Sequence, residues 1–151
     1  MRPQPTPECR SVLTVRVRFR DTDLMGVVHH AVYLEYLEAA RIEYLRRRGS
    51  EYLDWTKRGI HLAVADAHVR YHKPATFGER VSIEAVLVEL TGATARFEYR
   101  LARDDPGREL LVEASTVLVC VGDDKRPKRI PKDLAALLCG PETHPRPPDQ
   151  V

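Results

Sequence analysis

Cysteine is scarce in this chain and nowhere clustered. Cys9, Cys120 and Cys139 are its three cysteines in 151 residues. An odd count without metal-ligand spacing excludes a disulfide framework and points to reduced thiols in a cytoplasmic protein. Long apolar runs are missing as well. No stretch approaches the roughly 20 consecutive apolar residues of a spanning helix, so membrane insertion is not expected. Residues 1–10 are proline-rich and carry no apolar h-region, and so do not read as a secretory signal. No excess of one charge is present either. Lys and Arg number 24 against 22 Asp and Glu, and the net +2 is too small by itself to argue for nucleic acid. Internal repeats are absent, which excludes a solenoid. What remains is a chain of ordinary globular composition, long enough to bury the core of one domain.

Hydrophobic periodicity then divides that domain. Leu13, Val15, Val17 and Phe19 alternate with Thr14, Arg16, Arg18 and Arg20, which predicts a half-buried strand over 12–20. Between 30 and 48 the period lengthens. Val32, Tyr33, Tyr36, Leu37, Ala40, Tyr44 and Leu45 recur at three- and four-residue steps, the spacing of a helix apolar on most sides. Arg46, Arg47 and Arg48 suit its negative end, and Gly49 supplies a C-cap. A short helical connection over 51–57 is followed by four strands, at 60–71, 81–88, 93–101 and 110–120. These strands are longer than the usual five or six residues, and long antiparallel strands coil. One curved five-stranded antiparallel sheet wrapped around one long central helix is the economical packing, an α+β arrangement known as the hot-dog fold. Residues 11–139 form the expected domain, between a flexible N-terminal tail at 1–10 and a flexible Pro-rich C-terminal tail at 140–151.

Chemistry concentrates at the start of the helix. Asp21-Thr22-Asp23-Leu24-Met25-Gly26 leads through His29 and His30 directly into the helical pattern. First-turn N–H groups lack intrahelical acceptors and carry partial positive charge, so they can hold an anion that exists only in a transition state. A carboxylate on a loop folding back toward the same point could attack a carbonyl or activate water. The same Asp-Thr-Asp also fits an N-cap or Asx-turn, with Asp21 holding the loop by hydrogen bonds. Paired histidines could bind metal, but no third ligand has suitable spacing, since His61, His68 and His72 belong to a distant strand. Metal and redox cofactors are not implied.

Three blocks in order carry a resemblance. The run from Val15 through Asp23 and on from Gly26 to Arg41, then Val69-Arg70-Tyr71-His72-Lys73-Pro74-Ala75 with Gly78-Glu79-Arg80-Val81, then Arg126-Pro127-Lys128-Arg129-Ile130-Pro131, together resemble the 4-hydroxybenzoyl-CoA thioesterase family. Glu79 stands where the family commonly has Asp. The likeness spans residues 12–138 and is strongest to the acyl-CoA thioesterase branch associated with the Tol-Pal system. It implies that Asp23 is the catalytic acid, as nucleophile or general base, and that the His30 backbone N–H polarises the thioester carbonyl. A direct role for the His30 imidazole stays open. The resemblance places Tyr33 near the acyl pocket, where it could equally be a core aromatic. Other hot-dog thioesterases carry their acid on the central helix, which makes Glu35 and Glu38 the alternatives; Glu38 and Arg41 also read as an i,i+3 pair.

CoA enters as part of the substrate, and its phosphates call for basic groups. Arg70, Lys73, Arg126, Lys128 and Arg129 are the candidates, against the simpler reading of a solvated charged surface. The resemblance further implies a homodimer with sites at the subunit interface, commonly paired into a homotetramer. Rival readings are an acyl-carrier-protein thioesterase, an enoyl-thioester hydratase and a non-catalytic acyl-thioester binder; an intact Asp23 weighs against the last. The acyl group itself stays open.

Overall fold

The computed structural model describes residues 2–144, so part of the expected C-terminal tail, from 145 onward, lies outside the described residues. Element order is β1 (Arg10–Arg16), a 3-10 turn (Phe19–Asp21), α1 (Val32–Arg46), α2 (Tyr52–Lys57), β2 (His61–Tyr71), β3 (Arg80–Leu90), β4 (Thr94–Arg103), β5 (Leu110–Val121) and α3 (Lys132–Leu138). The five strands form one antiparallel sheet in the order β1-β3-β4-β5-β2. Ile83, Ala85, Leu87, Phe97, Tyr99 and Leu101 are buried on its inner face, and α1 lies there against β1 and β3. Tyr33, Tyr36, Leu37, Ala40, Tyr44 and Leu45 are the buried stripe of the helix. Burial of each large apolar side chain is worth about 1.5–3 kcal/mol, so this seam holds helix to sheet. β2 differs from the other strands. It stands at an open edge, and most of its residues are exposed.

Three local features depart from the periodicity. The strand expected over 12–20 ends at Arg16, and Phe19 is 79% exposed. The cause is Asp21, whose carboxylate captures the Arg18 backbone N–H at 2.9 Å and turns the chain before the alternation can continue. The closing Ile130-Pro131 is followed by a helix, α3, that pattern reading did not anticipate; its Leu134, Ala135 and Leu138 are buried.

The third departure is at the far end of α1. Gly49, at φ +80°, closes the helix with its N–H on the Arg46 carbonyl, and Ser50 N–H reaches Leu45, as a Schellman motif requires. Yet Arg48 is no solvated helix-end charge. It is buried over the Tyr44 ring, 3.5 Å from its centroid. Its guanidinium donates to Ser11 Oγ and to the carbonyls of Tyr44, Glu8, Arg10 and Gly140. Segments on both sides of the domain are thereby tied to one helix end, and Cys9, within the residues expected as a tail, is fully buried beside them.

Candidate active site

The loop before α1 is built by local rules. Gly26 N–H returns to the Asp23 carbonyl and Asp23 N–H to that of Val27, both at 2.9 Å. Gly26, at φ +76°, takes the left-handed position that such a tight three-residue connection needs. The Thr22–Val28 bridge closes the loop on itself, while the Val27–Thr76 bridge and the bond from Val28 N–H to the Ala75 carbonyl pin it to the segment after β2.

Asp21 anchors it from beneath. Its carboxylate, 2% exposed, accepts from Arg18 N, Nε and Nη2 and from the Tyr36 hydroxyl at 2.9 Å. Burial alone would push its pKa up, but the hydrogen bonds and charge of Arg18 with the Tyr36 bond hold it below the usual carboxylate value. Tyr36 is driven upward in turn, by burial and by that anionic partner. Asp21 is therefore an ionised structural pin.

Asp23 is placed differently. One carboxylate oxygen accepts the Met25 N–H at 2.9 Å, an Asx-turn contact, while the other has no partner among the described residues. The backbone donors beyond it are used in turn. His29 N–H goes to the Asp21 carbonyl, Ala31 N–H to His29 Nδ1 and Val32 N–H to the His29 carbonyl. His30 N–H alone in this series has no acceptor among the described residues. A free carboxylate oxygen and a free N–H at a helix start thus border one cleft. It measures about 280 Å³ and is lined by Asp23, His30, Tyr33, Tyr71, His72 and Lys73 together with Met25, Val27, Val28 and Pro74. Its wall is aromatic: Tyr33 meets Tyr71 edge-on at 5.6 Å, and the His30 ring lies 4.1 Å from that of His29 behind it in the chain.

Other candidates lie elsewhere in the protomer. Arg70 lines a wider depression of about 520 Å³ on the outer sheet face, among alternating charges such as Arg100 and Glu113. Arg126 and Lys128 follow β5, where Lys128 N–H binds the Cys120 carbonyl; Cys120 pairs with Leu62, at the opposite end of β2 from Tyr71. Glu35 borders a hollow with Phe19 and Phe77, and Glu38 an apolar groove with Ile42 and Leu62. Arg41, expected to pair with Glu38, donates to the Tyr99 hydroxyl at 3.3 Å. Neither helix glutamate lines the Asp23 cleft. Tyr71 and His72, which no candidate assignment included, do; their signal was the Tyr-His-Lys-Pro-Ala block itself.

A curved antiparallel sheet on one long helix, with an acid-bearing loop feeding the helix start, defines a hot-dog thioesterase. The solved 4-hydroxybenzoyl CoA thioesterase of Pseudomonas sp. strain CBS-3 shares this fold at TM-score 0.76, with 23% identity over 85% of this chain and 98% of that one. Residues 17–138 match the family described as the thioesterase-like superfamily, and the chain belongs to it. The chain is 32% identical to the acyl-CoA thioester hydrolase YbgC of Escherichia coli O6:H1, over 81% of this chain and 90% of that protein. A hypothetical protein of Thermus thermophilus, TT1821, is 40% identical with a TM-score of 0.79, covering 85% and 96% of the two chains. This protein is a thioester hydrolase.

Proposed function

We propose that the protein hydrolyses acyl-CoA thioesters to free acid and CoA, with Asp23 as the catalytic carboxylate and the His30 N–H as oxyanion donor. The observation that carries this reading is the pairing, on one cleft, of a carboxylate oxygen and a helix-start N–H that both lack protein partners. Both residues are accessible to solvent, so a substrate can replace water at these groups without breaking a hydrogen bond of the protein. The thioester carbonyl oxygen accepts from His30 N–H, which stabilises the negative charge that develops on it as the carbon becomes tetrahedral. Asp23 then acts in one of two ways. As nucleophile it bonds to the acyl carbon and expels the CoA thiolate, leaving a mixed anhydride that water cleaves. As general base it takes a proton from the attacking water. Both routes consume one water and release one acid and one thiol.

The same reading includes a homodimer, with pairs of dimers forming a tetramer. Its support is β2, a strand with a free edge in which Val64 is 50% and Tyr71 48% exposed. Such an edge invites a second copy. Antiparallel pairing of β2 with itself would set the His61 end of one copy beside the Tyr71 end of the other. Arg126 and Lys128 would then approach the partner's cleft, where Lys73 already stands, and supply charge for the CoA phosphates. A demonstrably monomeric preparation should be inactive, and full turnover in one overturns the shared site. The three cysteines are free thiols, consistent with a reduced, cytoplasmic setting.

The deciding experiment follows thiol release from a panel of acyl-CoA substrates with wild type and Asp23→Asn. We expect turnover by wild type and a loss of about 10²-fold or more in the variant, the scale of acid–base contributions. Equal rates would move the acid to Glu35 or Glu38. Inactivity on every acyl-CoA, with activity on acyl-carrier-protein thioesters, would change the substrate and keep the chemistry.

A further inference from the structure

We propose that Tyr71 is a positioning residue for the oxyanion donor, an inference that rests on the thioesterase reading of the cleft and assigns one more side chain to it. Tyr71 is the last residue of β2, and its hydroxyl donates to the His30 carbonyl at 2.8 Å, across 41 residues of sequence. Its ring stands edge-on to Tyr33, 5.6 Å between centroids, so its direction is set by a buried neighbour. Tyr33 is itself held, its hydroxyl accepting from Ala75 N–H at 3.3 Å.

The peptides around His30 explain why that bond matters. The peptide joining His30 to Ala31 is gripped at both ends, its oxygen by Tyr71 and its N–H by His29 Nδ1 at 3.1 Å. The preceding peptide, joining His29 to His30, is held at its oxygen by Val32 N–H at 2.9 Å, and its N–H is the free donor. Neither Asn nor Ser nor Thr nor Asp caps α1: the N-cap is Ala31, with no side-chain bond to the first turn. An uncapped helix start frays readily, and a donor displaced by even an ångström loses much of its value to a transition state. His29 supplies the local restraint on this turn, and Tyr71 adds one from the sheet, on the peptide that follows the free donor. Because β2 is one of the two edge strands of the sheet, the same bond connects the order of that edge to the geometry of the cleft.

The test is Tyr71→Phe, which keeps the ring and its contact with Tyr33 and removes only the hydroxyl. Steady-state kinetics on the acyl-CoA that wild type hydrolyses fastest should give a kcat lowered about tenfold with KM within twofold, the split expected when an interaction acts mainly in the transition state. A spectroscopic readout separates positioning from simple loss of structure. A non-hydrolysable ketone analogue of that acyl-CoA, bound to wild type, should show its infrared carbonyl stretch moved to lower frequency by the His30 N–H, and Tyr71→Phe should reduce that shift. An unchanged kcat, or an unchanged carbonyl shift in the folded variant, overturns the proposal. If Asp23→Asn abolishes turnover while Tyr71→Phe behaves as wild type, only the role of Tyr71 fails. If wild type hydrolyses no acyl-thioester, the reading of the cleft and the role of Tyr71 fail together.

Discussion

The two ends of α1 are made from one continuous helix and are treated in opposite ways. At the C-terminal end the backbone is closed and tied down: Gly49 and Ser50 close the last turn, and Arg48 donates to four backbone carbonyls and to Ser11, although Arg47 Nη2 stays buried without a partner among the described residues. At the N-terminal end there is no side-chain cap, the His30 N–H has no described acceptor, and Asp23 keeps one oxygen unengaged. One end fastens the domain together; the other leaves polar groups without partners among the described residues, where the proposed reading puts the substrate. A fold can leave a site unsatisfied when the remainder of the same element is firmly held.

The comparison breaks most visibly at Arg48. Arg48→Met leaves buried acceptors without a donor and should cost about 3–5 kcal/mol of stability, read as a lower midpoint in urea unfolding. The folded fraction should keep its kcat, because Arg48 is a helix length from the cleft; a kcat loss without destabilisation would show that the two ends are not separable. Asp23→Asn should do the reverse. Its loss of about 10²-fold, or ~2.7 kcal/mol on the barrier, should leave the unfolding midpoint nearly unchanged. A large stability change there would make Asp23 a structural Asx-turn residue first.

Asp21 gives the smallest and most informative effect, since it lies at the functional end but behaves like the structural one. Its folded pKa is depressed, so its contribution is present above the unfolded value of about 3.9 and is lost as pH falls through the lower folded value. Asp21→Asn should therefore be less stable than wild type by about 1–3 kcal/mol at pH 7, and the gap should close in acid below pH 4. A gap that stays constant down to pH 3 would mean that the ionised carboxylate is not what Arg18 and Tyr36 recognise.

Much of this was legible in the chain. The period change between residues 20 and 30 separated strand from helix, and the three blocks placed the acid-bearing loop at the helix start. Asp23, His30, Tyr33 and Lys73, singled out by motif, line one cleft. Arg70, Arg126 and Lys128 do not join them within a protomer, because sequence carries no information on which copy a residue serves. Periodicity failed where a side chain overruled it: Asp21 stopped the first strand early, and alternation records burial preference without recording such a capture. The basic run was read as charge suiting the helix end, and nothing in it records that Arg48 is buried and bonded to carbonyls of distant segments.

The sequence by itself determined the class and order of the main elements and the position of the Asp-bearing loop before α1, because periodicity and turn residues act over a few positions. Only the tertiary structure decided which donors remain free, that Tyr71 reaches the His30 carbonyl from 41 residues away, and that β2 stands open at the edge. Those are properties of contacts between distant segments, and hydrogen-bond satisfaction can be counted only once every partner has its place.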